Sequence, residues 1–261
     1  MTNRMEILYQ IDAWKIAITL LIFLFIVIEL SYRLGTRSDP LAYEKSSSVF
    51  STLMGAALAL LGLLLAFSFA MASARYDLRK GVILKEANAI GTSYLRSDLL
   101  DPALKDLVKA KLKEYAQVRL AAHQTGIDAK KQQDISQLTS KLQGDIWIIA
   151  SSELRRERQI HNSLFVQALN DTIDVSAEQN DAHENHVPES VFWLLFISAL
   201  LTAALSGYAC GAIGNRNLMA TSVFALLVAL VIFCIIDLDR PQRGLITVNQ
   251  QPMQILLNSM H

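Results

Sequence analysis

The chain has 261 residues, 52% of them hydrophobic and 18% charged, and its 24 basic and 24 acidic residues cancel to a formal net charge of zero. That balance offers no bulk attraction for nucleic acid, and two cysteines are too few for a disulfide-stapled scaffold. The class is therefore decided by where the apolar residues fall.

Residues 1–12 carry both charge signs and lead into an apolar run from Ala13 to Ser31 that is too long for a secretory h-region and lacks a small-x-small cleavage site behind it. The segment is expected to be retained. Three further runs follow, Val49 to Ala72, Val191 to Cys210 and Leu218 to Ile236. Each approaches the ~20 residues with which a helix crosses ~30 Å of hydrocarbon. Ionisable groups stay near the ends of these runs, as Lys15, Glu29 and Asp237 do. An amphipathic soluble helix would alternate polar and apolar faces, so the sequence predicts four transmembrane helices in a lipid bilayer.

In the second run Gly55, Ala59, Gly62, Ala66, Ala70 and Ala74 recur every three or four residues. Repeated small-xxx-small steps let helix backbones approach closely in lipid, so Gly55, Gly62, Ala66 and Ala70 mark a packing face, either within one subunit or between subunits. Leu63 and Phe67 lie beside it, roughly 60–100° round the helix. The helix is expected to leave the membrane, because Ala72 to Leu99 contains no proline and places Val82 or Ile83, Ala87, Ile90 and Tyr94 at helical spacing. Asp101 and Pro102 supply an N-cap and a first-turn proline for the next helix, with Leu104, Leu107, Val108, Leu112 and Tyr115 on one stripe. Gly126 and Asp128 mark a break, after which Ile135, Leu138, Leu142, Ile146 and Ile149 keep the spacing. Beyond Arg158 it resumes through Leu164, Ala168 and Ile173, and Pro188 opens the third span. No strand pattern competes.

The expected architecture is all-α: an integral membrane protein with four transmembrane helices and a helical cytosolic domain between the second and third. Its parts are residues 1–12 as a cytosolic N-terminus, 13–72 as the first helix pair, 73–187 as the helical domain, 188–237 as the second pair and 238–261 as a cytosolic tail. Basic residues set the orientation. Arg4, Lys15, Arg75, Arg79, Lys80, Lys85, Arg240 and Arg243 share one side, against Arg33, Arg37, Lys45 and Arg216 in the short loops. The positive-inside rule then places both termini and the helical domain in the cytoplasm. Cys210 and Cys234 would lie at opposite membrane faces, about 25 Å apart by helix rise, out of disulfide reach.

Charge is polarised in the helical region. Gln159 to Ser190 holds no lysine or arginine, only Asp171, Asp174, Glu178, Asp181, Glu184 and Glu189, while basic residues predominate before it. The acidic segment can face the basic one, either as solvated helix surfaces or as a charged vestibule. Asp237 and Asp239 could hold a cation with oxygen ligands, but Arg240 and Arg243 are the simpler partners. His183 and His186 have neither metalloprotease spacing nor a third ligand, so no metal is expected. Phosphate loop, nucleophile elbow and dinucleotide fingerprint are absent, so neither a catalytic residue nor a cofactor is assigned and an enzyme is not expected.

The stretch from Phe67 to Asp77, followed by Lys85 to Thr92, resembles the bestrophin-like family of bacterial membrane proteins and, more distantly, the bestrophin anion channels. Glu29 to Gly35 after the first span, Asp237 to Gly244 after the fourth, Val248 and Pro252 add to the likeness, while Gln242 stands where the family has an aromatic. The resemblance implies a homo-oligomer, the family's pentamer, in a bacterial cytoplasmic membrane, with a pore for small anions lined by the second helix. Carried over position by position, the apolar neck falls on Ala59, Leu63 and Phe67, and the inner vestibule on Arg75, Lys85, Asn88 and Thr92. Rings of apolar side chains close a pore by dewetting. The absence of Asp, Glu or His from the middles of the spans agrees with a passive conduit over a proton-coupled transporter. The rival reading is a non-conducting membrane-anchored scaffold or sensor whose helical domain binds a partner protein.

Overall fold

A computed structural model describes residues 11–122, 129–156, 160–240 and 243–260. The expected breaks at Gly126, Asp128 and Arg158, and the Pro241–Gln242 turn, lie outside them. Among the described residues all regular structure is helical: α1 (Ala13–Gly35), α2 (Pro40–Arg96), a 3-10 turn (Ser97–Leu99), α3 (Pro102–Ala122), α4 (Ala129–Arg156), α5 (Ile160–Glu184), α6 (Glu189–Ile213), α7 (Leu218–Leu238) and α8 (Gln251–Ser259). Four of these stretches are long and apolar enough to cross a membrane. Helix α2 runs unbroken for 57 residues, since nothing between Leu41 and Arg96 removes a backbone donor.

The chain divides into two compact units. Met1–Ala74, His186–Arg240 and Gly244–Ile246 form the membrane unit, and Arg75–Asn185, Pro241–Arg243 and Thr247–His261 form the helical unit.

In the membrane unit α1 packs on α6 and α7. It buries Ile16, Leu20, Leu24 and Ile28, four residues apart, while α6 buries Phe192, Leu195 and Ala199 and α7 buries Ala225, Ile232 and Ile235. The closest approaches are made by glycine. A Cβ added to Gly207 would lie 2.5 Å from the Ile28 carbonyl oxygen, one on Gly211 2.1 Å from that of Tyr32, and one on Gly35 2.3 Å from that of Tyr208. Gly207 and Gly211 form a small-xxx-small step that packs inside the protomer. Along α2, no described residue lies within 4 Å of a Cβ on Gly55 or Gly62, and Ala66 and Ala70 are exposed.

The core of the helical unit joins Ala87, Ile90 and Tyr94 of α2 with Val108, Leu112 and Tyr115 of α3, Leu142 and Ile146 of α4, and Phe165 and Leu169 of α5. Asp101 caps α3 by accepting from the Ala103 N–H at 2.9 Å. On α5 the buried stripe runs through Phe165, Ala168, Leu169 and Thr172; of the expected residues Ala168 is buried and Ile173 packs partly against the core, while Leu164 is exposed. The C-terminal stretch, read as a tail, carries α8, whose Met253 is fully buried in this core. Lys113 Nζ reaches the Met260 carbonyl oxygen at 2.6 Å and ties the end of the chain to α3.

Candidate functional site

Within the membrane unit α2 is buried on Leu61, Ser68 and Ala72, seven and four residues apart, and Ser68 returns its hydroxyl to the Leu64 carbonyl at 2.7 Å. The other side is open. Ala59 is exposed, and Leu63 and Phe67 are 51% and 63% exposed. Spaced four apart, the three follow one slowly turning stripe. They lie beside Gly55, Gly62, Ala66 and Ala70, so one uncovered surface carries both the small and the bulky residues singled out in α2. Tyr43, Phe50 and Tyr208 form an aromatic cluster, with ring centroids 5.7–6.5 Å apart.

Acids of this unit are held by neighbours. Glu29 accepts from Arg33 Nε at 2.8 Å and from Arg216 Nη2 at 2.6 Å, and Arg216 lies over the Tyr32 ring. Asp237, 1% exposed, takes the Leu245 and Ile246 N–H groups on one carboxylate oxygen at 2.9 and 2.8 Å. Asp239 takes the Val187 N–H at 2.9 Å, and its carbonyl meets His186 Nδ1 at 3.1 Å. These two carboxylates therefore fasten the segments after α7 and before α6, and are engaged by backbone donors, not arranged as cation ligands. Among the described residues no group of three or more His, Cys, Asp or Glu side chains is placed to hold a metal. Cys210 and Cys234 are free.

In the helical unit the basic end of α2 and the acidic end of α5 do face one another. Arg75 Nη1 donates to Asn185 Oδ1, Arg79 donates to the carbonyls of Ala182 and Asn185 at 3.0 and 2.9 Å, and Lys85 pairs with Glu178. The Lys85–Glu178 pair is about half exposed on both sides, where water screens it to roughly 0–1 kcal/mol. Asn88 and Thr92 are exposed, and the Thr92 hydroxyl is committed to the Asn88 carbonyl at 2.9 Å. Of the four vestibule residues Asn88 keeps an exposed amide donor, while Lys85 holds Glu178 on α5 and Arg75 holds Asn185 just past its end.

Sequence reasoning did not single out the deepest charge of this unit. Arg119 and Glu86 are 3% and 0% exposed and hydrogen-bonded to one another, and Arg119 Nη2 also donates to Gln179. Burial pushes the Glu86 carboxyl above its ordinary range and outweighs the downward pull of Arg119. At the surface the signs reverse: Lys105 and Lys109 hold Asp98 below the usual carboxylate range, and Lys111 does the same to Asp145. A sequence signal for the buried pair existed, since Glu86 lies one residue from Ala87 on the apolar stripe of α2 and Arg119 lies four after Tyr115 on that of α3.

Four apolar helices and a separate helical unit define an α-helical multi-pass membrane protein. The sequence matches the bestrophin-like domain over residues 18–253, nearly the whole chain, and the protein belongs to that family. It matches no curated protein. Crystal structures of a bacterial bestrophin homologue from Klebsiella pneumoniae share its fold. One, of a form with a single substitution, has a TM-score of 0.64 at 12% identity and covers 92% of this chain and 96% of that one. Another, phased on zinc, has a TM-score of 0.62 at 14% identity and 94% coverage of both chains. A structure described as a membrane protein has a TM-score of 0.61 at 14% identity, covering 92% of this chain and 94% of its own.

Proposed function

We propose that the chain is one subunit of a homo-oligomeric channel in the bacterial cytoplasmic membrane, a pentamer as in bestrophins, that passes small anions down their gradient with α2 around the axis and both termini in the cytoplasm. The observation that carries this reading is the bareness of α2. Only 11% of its most apolar stretch is buried by its own chain, against 22%, 33% and 39% for the other three spans. That bare surface is where the small residues cluster. Facing lipid they gain nothing from their size, whereas facing another helix they permit close backbone contact. Copies of the chain supply such helices, leaving Leu63 and Phe67 to border the axis as an apolar constriction. At the inner mouth Asn88 offers a neutral donor to a partly dehydrated anion, and Lys85, paired with Glu178, does not trap it as a bare cation would.

The test is flux. Purified protein in liposomes is expected to quench an entrapped anion-sensitive dye, and Phe67→Ala or Leu63→Ala to change the rate several-fold. Tight vesicles containing well-folded protein would overturn the channel, and a monomer in mild detergent would favour the membrane-anchored scaffold.

A further inference from the structure

Between the first half of α4 and the second half of α5, the helical unit has a groove of about 330 Å³ that the channel reading does not use. Its walls are polar and apolar in about equal measure: Ser136, Ser140 and Gln143 from α4 and Asn180 from α5 supply neutral polar groups, Arg119 borders it from α3, and the Glu184 carboxylate lies at the end of α5. Arg119 is buried, yet only part of its guanidinium is committed inward: Nε to Glu86 and Nη2 to Gln179. Neither of these bonds uses Nη1. Thr139 also lines the groove, is 5% exposed, and its hydroxyl lacks a partner among the described residues.

A guanidinium donates five N–H bonds and accepts none, and hydroxyls and amides next to it add further donors. Such a wall is complemented by a group that only accepts, and a planar or tetrahedral oxyanion does so with charge-assisted bonds. Charge-assisted bonds to a guanidinium favour an anion over a neutral polyol.

We propose that this groove is a binding site for a small metabolite bearing a carboxylate or phosphate, the oxyanion taken by Arg119 Nη1 and the neighbouring hydroxyls. The site stands whether or not the protein conducts. Carboxylate and phosphate share the recognising chemistry, and the probes separate them.

Full-length protein in mild detergent is titrated calorimetrically, and its melting followed, with succinate, glycerol 3-phosphate and glycerol. One or both oxyanions are expected to bind and raise the melting midpoint, and glycerol to do neither. Succinate alone identifies a carboxylate site, glycerol 3-phosphate alone a phosphate site. Ser140→Leu fills the groove from an exposed position, so the ligand-free protein is expected to melt as the parent does and to bind at least about tenfold more weakly, a loss of about 1.4 kcal/mol. Arg119→Lys, which keeps the charge but loses the fork, is expected to weaken binding likewise. If that variant does not fold, Ser140→Leu decides alone. Absence of binding by both oxyanions, equal binding of glycerol, or undiminished affinity in Ser140→Leu overturns the site.

Discussion

Asp237 shows how a carboxylate can be stable at the end of an apolar helix: water is replaced by two backbone N–H donors from the segment that follows. The turn that brings those donors back depends on Gly244, for two independent reasons. Its φ of 113° is unfavourable for a side chain, and a Cβ would lie 2.1 Å from Asp237 Oδ1. Gly244→Ala must therefore distort the turn or displace the carboxylate from its donors, at a cost on the order of 2–3 kcal/mol. A clear fall in the melting midpoint of the detergent-solubilised protein is expected. An unchanged midpoint would mean that Asp237 does not depend on this turn. The buried Glu86–Arg119 pair follows the same logic with a side-chain partner, because removing either member leaves a charge without compensation, typically at ~3–5 kcal/mol.

At the scale of the helix, both the accuracy and the errors of sequence reading come from what periodicity contains. Val82, Ile83, Ala87, Ile90 and Tyr94 are all buried, because an uninterrupted helix entering from the membrane keeps its phase. Helix α5 mixes polar and apolar residues along its length, so two adjacent stripes compete: spacing found Ala168 and Ile173, but the core takes Phe165 and Leu169 in place of Leu164. Small residues are ambiguous in another way. Their pattern announces a close approach but not the partner, and it occurs in both α2 and α6. In α6 the partner is α1, with the Gly211 Cα facing the Tyr32 carbonyl. Gly211→Ala is therefore expected to destabilise by about 1–3 kcal/mol, as overpacking against backbone does. Gly144→Ala, in open space within α4, should be neutral or gain up to about 1 kcal/mol from helix propensity. Equal melting midpoints for the two variants would refute the α1–α6 seam.

For the whole molecule, the fold is legible because the bilayer imposes it: spans of the right length admit only helices once backbone groups must be satisfied internally. The candidate pore is less legible, and one chain completes only half of it. Ala59, Leu63 and Phe67 share an open face with Gly55 and Gly62, and nothing in the protomer says what covers them. In the proposed channel other copies of the chain supply the missing wall, which gives a prediction that separates folding from association. Gly62→Leu adds a bulky apolar group where no atom of the described residues lies within 4 Å of a Cβ. In a lipid-facing position the change is harmless, and Leu improves on Gly in a helix by roughly 0.8–1 kcal/mol. In a helix–helix interface between subunits it holds the backbones apart. The variant is expected to keep the parent's helical content by circular dichroism while its detergent-solubilised particle shrinks to smaller species by light scattering. Retention of the full oligomer would show that the face looks into lipid, and the axis would then have to be sought on another helix.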